Sequence, residues 1–400
     1  MNTQMSNEFS FFPPAHGSQR KSVSHELYQF INHRSSLSSQ RRENLSISTL
    51  KAASTIPSKS NINARSLSSI IPKKSNSTLI LNRNKILARN LKHLTQKLFP
   101  LKEEEAKEFK YFHQTYDFRT KTGTLGLLSK SHNQDSYFCF SKFQGKESQS
   151  LYGVCDGHGL HGHIISAEIK EKFPEILNKR LNYRAQEGPA LSMKKCIIKL
   201  HKELVLNKNI NTDFSGSTLV SVLIIGKLLT CASVGDSRAV LGRKTDKRFV
   251  AIPLSKDHKP DNLTERKRIE SFGGRVDTLY THRGSSVGPL RVWIGNQDTP
   301  GLAMSRSIGD RFATEVGVIP DPDMRQFELT KDDKFIILAS DGLWDVMSNE
   351  EAVSLCKVGW EFGYPQSACD SLLKEANKRW SERNSNNDDI TVIVIFLKTA

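Results

Sequence analysis

Several stretches of this chain share one design, an apolar run of strand length that adjoins an aspartate in a turn. The run at 151–155 leads into Asp156-Gly157-His158-Gly159, and that at 229–234 into Gly235-Asp236-Ser237. The run at 335–340 leads into Asp341-Gly342-Leu343-Trp344-Asp345. Asn386-Asn387-Asp388-Asp389 precedes the strand-like 390–394, and Asn133-Gln134-Asp135 precedes 136–138. One Asp-Gly after a strand is ordinarily just a turn. Repeated at the ends of several core-like strands, it restricts the fold, because strands side by side in one sandwich bring their ends together. Clustered carboxylates repel, and some must protonate unless a cation offsets them. Hard divalent ions with oxygen ligands suit such a set, Mg2+ or Mn2+ above all. Gly157 could add a backbone carbonyl, since no side chain blocks approach there. The pattern suggests a two-metal centre, which lowers the pKa of a bridging water and clamps both oxygens of an in-line displacement at phosphorus. His158, two residues from Asp156, is placed to serve as general acid for an alkoxide leaving group.

The remaining strand and helix signals fit that arrangement. Strands are expected over 136–140, 150–155, 218–225, 228–234, 239–243, 334–339 and 390–397. Helices are expected over 166–181, 190–209, 262–272, 349–358 and 366–382. Strands and helices come in blocks with short strand links. That favours an α+β chain with antiparallel sheets and helices on their faces over alternating βαβ units. No GxxxxGK[ST] or GxGxxG loop is present, so nucleotide-binding loops have no support.

Charge divides the chain. Residues 1–100 hold 15 Lys and Arg against 3 Asp and Glu, whereas the rest is nearly balanced at 43 against 39. The first 80 residues also contain 19 serines. Such a segment buries too little apolar surface to offset about 1–2 kcal/mol of backbone entropy per residue, so 1–80 is expected to be a disordered basic tail. Residues 81–114 read as a basic amphipathic helix and linker, with Leu87, Leu91, Leu94 and Leu98 on one face and Pro100 as its stop. A docking helix is the plainer reading of that face. A calmodulin-like partner, a kinase using Lys73-Lys74 and 79–81, or peripheral contact with an acidic membrane are the sharper ones. Residues 115–398 are left for one domain. No apolar run reaches the roughly 18–20 residues of a membrane helix. The six cysteines show no zinc-like spacing, and no signal peptide is apparent at Met1. They read as reduced thiols in an intracellular protein, cytoplasmic or nuclear. The tail has few aromatics for base stacking, so nucleic acid is not expected as a partner.

The motifs, in this order, resemble the metal-dependent protein serine/threonine phosphatase family, type 2C. The resemblance rests on residues 154–159, 215–218, 234–239, 301–310, 339–345 and 388–391. It implies an αββα sandwich of two antiparallel sheets flanked by helices, acting as a monomer on phosphorylated protein substrates. It further implies two Mg2+ or Mn2+ ions and a weaker third. Asp156 would bridge the pair, with Gly157 giving its carbonyl to one ion and Asp341 and Asp388 completing the other. Asp236, Asp341 and Asp345 would form the third site. A bridging hydroxide would attack phosphorus in line, with His158 as general acid and no phosphoenzyme. Gln134 and Asp135 stand where many members have Glu-Asp; the neutral Gln134 would bind a metal weakly or through water. Lys130 stands where many members carry an arginine on the substrate phosphate, and lysine keeps the charge but loses the bidentate fork. Leu160 replaces a common second glycine. Asp310 and Arg306 are expected to be structural, Trp344 to pack under the metal-bearing turn, and 276–299, with Arg283 and Arg291, to form a flap beside the site. The departures at Gln134 and Lys130 leave one alternative, a catalytically weak relative that binds phosphoproteins as a scaffold.

Overall fold

Continuous rather than alternating apolar runs are what a strand needs when both its faces are covered. The computed structural model describes residues 109–399 except 126–127, 282–284 and 384–385. The expectations for residues 1–80, the helix up to Pro100, the kinase-docking segment and Arg283 lie outside the described residues. In chain order the first elements are β1 (Phe112–Lys121), β2 (Thr124–Leu125), β3 (Leu128–Ser129), β4 (Asp135–Phe140) and β5 (Gln149–His158). Helices α1 (Gly162–Tyr183) and α2 (Pro189–Leu206) follow, then β6 (Gly216–Ser217), β7 (Leu219–Ile225), β8 (Leu228–Val234), β9 (Arg238–Lys244) and β10 (Phe249–Pro253). Next come α3 (Leu263–Ser271), β11 (Gly274–Tyr280), β12 (Ser286–Ile294), β13 (Pro300–Leu302), β14 (Ile308–Gly309), α4 (Arg311–Glu315), β15 (Asp323–Glu328) and β16 (Asp333–Ala339). The chain ends with α5 (Asp341–Trp344), α6 (Asn349–Phe362), α7 (Pro365–Glu382) and β17 (Ile390–Thr399).

One antiparallel sheet has the order β1-β17-β16-β9-β10, and a second the order β14-β6-β5-β7-β8-β15 with β4 also paired to β5. Side chains of period two sort each strand between two cores. On β17, Ile393, Ile395 and Leu397 join Tyr152, Val154, Val220 and Val222 of the other sheet in the central core. The alternate residues Val392, Val394 and Phe396 pack under Val353 and Cys356 of α6 and Leu372 and Ala376 of α7. On the opposite side Leu151, Cys155, Leu219 and Leu223 pack under Ile165, Ile169 and Phe173 of α1 and Ile197 and Leu200 of α2. The layers are therefore αββα. Each fully buried Leu, Ile or Phe contributes about 1.5–3 kcal/mol, so the central strands β5, β7, β16 and β17 are held from both faces. No helix among the described residues is long and apolar enough to cross a membrane.

The first strand lies outside the sequence reading. β1 begins at Phe112, ahead of 115, and pairs with β17 along its length. Phe109 packs against the central core. The stretch before 115 is thus partly strand and not wholly linker. As an edge strand β1 alternates polar residues with its apolar ones, which hides it among the charges of the linker.

Beside the two large sheets, α3 and the sheet β11-β12-β13 form a smaller unit, whose core of Ile269, Val276, Val292 and Leu302 is completed by Met304 and Val316 from the chain that follows. Its anchor is a buried carboxylate. Glu265 accepts from Arg306 Nε at 3.0 Å and Nη2 at 2.7 Å, from Arg268 Nη2 at 2.8 Å and from Ser305 Oγ at 2.8 Å. Arg306 also donates to Asp321 O and Asp323 Oδ1, a structural tie. Burial alone would push the Glu265 carboxyl up; Arg306 and Arg268 outweigh it and hold the carboxyl well below the glutamate range. That contribution is complete above about pH 4.3, the unfolded value. It is lost as pH falls through the lower folded value. Glu265→Ala leaves two half-buried guanidinium groups without their shared carboxylate and should lower unfolding free energy at pH 7 by roughly 2–4 kcal/mol, somewhat less than for a fully buried pair because both arginines keep other acceptors. In denaturant titrations, the gap from the parent protein should narrow below about pH 4.

Candidate functional site

The sandwich brings the aspartate turns to one end. β4 and β5 pair with Asp135 opposite Asp156. Ser340, at the end of β16, donates its N–H to Thr391 O at 3.0 Å, setting Asp341 beside the start of β17 and hence near Asp388. Burial raises the pKa of Asp156 well above the carboxylate range, and Asp341, Asp135, Asp388 and Asp236 push it further. Asp341 is raised by burial, then by Asp236, Asp388 and Asp345. Asp345 is raised in the same way, by burial, against the opposing pull of Lys259. Burial pushes Asp135 up to about 7, although the hydrogen bond that Ser340 Oγ donates to it pulls the other way. The sequence-derived aspartates thus form one mutually repelling cluster.

Two ammonium groups reach into it. Lys130 Nζ lies 2.5 Å from Asp388 Oδ1 and 3.7 Å from Asp389 Oδ2. Lys259 pairs with Asp236 Oδ2 and also lines a cavity of about 520 Å³ with Arg238 and Asn349. Asp135 Oδ1 and Asp236 Oδ1 are nevertheless buried without a hydrogen-bond partner. Among the described residues no three His, Cys, Asp or Glu side chains close on one point as a finished metal cage. The donor chemistry still fits Mg2+ or Mn2+. Such ions keep several waters and take only one or two carboxylates each. Orphaned carboxylate oxygens amid like charge are what a hard cation relieves.

The turns holding these groups are tightly constrained. Gly157 donates its N–H to Gln134 O at 3.1 Å, and a Cβ on it would lie 2.3 Å from Gly162 O. Gln134 spends its side-chain amide on Gly159 O at 2.7 Å, bracing the turn after His158. Asp389 is buried and accepts the N–H groups of Gly123 at 2.6 Å and Gln134 at 2.8 Å. It ties two loops together, a role sequence reading did not assign; the Asp388-Asp389 doublet was the available signal. Trp344 is buried and donates its indole N–H to Ala339 O, while Trp380 donates to Gly342 O at 2.7 Å. Arg291, in the expected flap, donates to Gly301 O.

His158 has a buried partner that sequence reading treated as structural only. Its Nε2 lies 2.6 Å from Asp310 Oδ2. Burial pulls the imidazole pKa down, but Asp310 more than offsets that and leaves it raised. Nδ1 is buried with no hydrogen-bond partner. Asp310 sits in the left-handed region at φ 46°, which Asp tolerates better than most residues. Ser307 Oγ at 2.5 Å and the bond from Asp310 N–H to Ser215 O at 2.9 Å hold it there. Gly216 permits the approach, since a Cβ would fall 2.1 Å from Asp310 Oδ2.

A family model described as Protein phosphatase 2C matches residues 115–385. The chain is 36% identical over 291 residues to Probable protein phosphatase 2C 64 of Oryza sativa subsp. japonica, covering 70% of this chain and 66% of that protein, so slightly under two thirds of that relative is matched. It is 37% identical over 282 residues to Probable protein phosphatase 2C 72 of Arabidopsis thaliana, covering 68% and 83%. Among solved structures, a serine-threonine phosphatase 2C from Toxoplasma gondii superposes with a TM-score of 0.61 at 25% identity, covering 71% of this chain and 95% of that one. A C. elegans sex determining protein shares the fold at 19% identity with a TM-score of 0.56, covering 82% and 76%.

The packing of the Asp341 turn is directly testable. A Cβ on Gly342 would lie 2.0 Å from Asp389 O, a backbone atom that cannot swing aside. Gly342→Ala should therefore destabilise the domain by about 1–3 kcal/mol. Thermal unfolding should show the loss with and without divalent ions, since it arises in the backbone and not in any ligand.

Proposed function

The chain belongs to the protein phosphatase 2C family, and we propose that it hydrolyses phosphoserine and phosphothreonine in proteins with Mg2+ or Mn2+ as cofactor. In this reading Asp156, the Gly157 carbonyl, Asp341 and Asp388 hold two ions, and Asp236, Asp341 and Asp345 hold a third more weakly. The observation that carries it is the gathering of Asp156, Asp341 and Asp388 at one end of the sandwich, where burial and the neighbouring carboxylates raise Asp156 and Asp341 well above the carboxylate range and Asp388, half-exposed, lies at the rim. Bound there, divalent ions would supply positive charge for the phosphoryl oxygens and lower the pKa of the attacking water.

The chain's own groups supply the rest. Lys130 exchanges its contact with Asp388 for a phosphoryl oxygen, as a point charge and not as a fork. Asp310 accepts the Nε2 proton of the His158 imidazolium and keeps the ring oriented. Nδ1, which has no partner within the protein, then holds the proton that passes to the serine or threonine oxygen as the P–O bond breaks, once a turn of the ring opens this buried atom to the substrate. Asp135, bonded by Ser340 Oγ at 2.8 Å, steadies the strand pair that presents Asp156.

The full chain with Mn2+ should release phosphate from a phosphoserine peptide and stop on addition of chelator. Asp156→Asn and Asp341→Asn should reduce turnover to background while circular dichroism stays unchanged. Normal turnover in either variant would remove the ligand assignment. Failure of the parent chain itself would favour a phosphoprotein-binding scaffold. His158→Gln should lower kcat about 10²–10⁴-fold on the peptide, and far less on an activated aryl phosphate whose leaving group needs no proton. Equal losses on both substrates would remove the acid role.

A further inference from the structure

We propose that Leu160, Phe214 and Phe312 form an apolar ledge beside His158 that receives a bulky apolar side chain next to the phosphorylated residue of the substrate; the inference rests on the phosphatase reading above. Leu160 stands at the apex of the turn that follows His158 and is 81% exposed. That turn is pressed against the segment bearing Phe214. A Cβ on Gly159 would lie 2.2 Å from Phe214 O, and His161 N–H donates to Ser215 Oγ at 3.1 Å. Phe214 is 48% exposed, and its ring centroid lies 4.9 Å from that of Phe312, which follows Asp310 by two residues.

Three separate segments thus bring large apolar side chains to the surround of the His158–Asp310 pair. Among the described residues none of the three belongs to a core cluster, so packing of the domain does not account for them. Scattered exposed hydrophobics need no explanation. These adjoin the candidate site through the turn that follows His158 and through Asp310. They are also held in place: Arg311 lies over the Phe312 ring at 4.3 Å and is tied to Asp213 at 2.6 Å. The aromatic pair and the exposed leucine offer dispersion and desolvation to an apolar side chain, and the charge of Arg311 beside them is already paired with Asp213.

The test uses the full chain with Mn2+ and three substrates. Two are phosphoserine peptides that differ only in carrying Leu or Asp at the positions flanking the phosphoserine; the third is p-nitrophenyl phosphate. The parent protein should prefer the Leu peptide by on the order of tenfold in kcat/KM, as one partly buried apolar group warrants. Leu160→Ser and Phe214→Ser should collapse that preference, mainly through KM, and leave p-nitrophenyl phosphate hydrolysis unchanged. An equal rate on both peptides, or a preference that survives both substitutions, would overturn the ledge while leaving the phosphatase reading intact. A parallel fall on p-nitrophenyl phosphate would also overturn it, by showing that these residues only shape the turn. Absence of metal-dependent hydrolysis of any substrate would overturn both.

Discussion

Like charges held close at the end of an apolar sandwich are the constraint on which the rest of this domain depends. Asp156 ends a strand of one sheet, while Asp341 and Asp388 flank strands of the other; besides burial, Asp341 and Asp388 raise the proton affinity of Asp156, and Asp388 raises that of Asp341. The strands cannot move apart to relieve this, because each is packed on both faces. Stability built up in three apolar layers therefore opposes repulsion concentrated in one small region, the usual relation between a core and a functional site. Lys130 and Lys259 offset part of that repulsion. The orphaned oxygens of Asp135 and Asp236 mark what they do not reach.

A site of this kind needs supports that do not share its chemistry. Asp389 collects two backbone N–H groups and fixes the loop carrying Gln134. Ser340 links Asp135 to the backbone of Thr391, joining the two sheets at the level of the cluster. Glycines stand where another backbone comes within van der Waals distance, as at Gly157 and Gly342. Orienting contacts of this sort decide whether ligands and acids are held within the narrow tolerance that chemistry requires.

The distinction between first contacts and supports also explains what could be read from the chain. Strand-end aspartates are spelled locally: an apolar run, then Asp, then Gly. So are the two-sided strands, whose apolar runs lack alternation because helices cover the outer faces. β1 was hidden because an edge strand alternates polar residues and resembles the charged segment before it. Asp310 and Lys259 carry no local mark of their partners, since His158 lies 152 residues from Asp310 in the chain and the Lys259–Asp236 pair joins separate loops. The engagement of the Gln134 amide by Gly159 was equally invisible, because it depends on the turn geometry of a neighbouring strand.

The lysine at position 130 illustrates how such supports and chemistry interlock. An arginine there, with its planar fork, would bind a phosphoryl group bidentately but would also fix Asp388 in one geometry. A lysine ammonium is a compact charge on a flexible stem, and it can neutralise Asp388 in one state and meet a phosphoryl oxygen in another. Asp388, half-exposed at the rim of the cluster, then alternates between an ammonium partner and a cation partner. Under the proposed function, weaker phosphate recognition at Lys130 is therefore coupled to easier exchange at Asp388. Part of the substrate affinity must then come from contacts away from the phosphate, which the apolar residues around His158 are placed to provide.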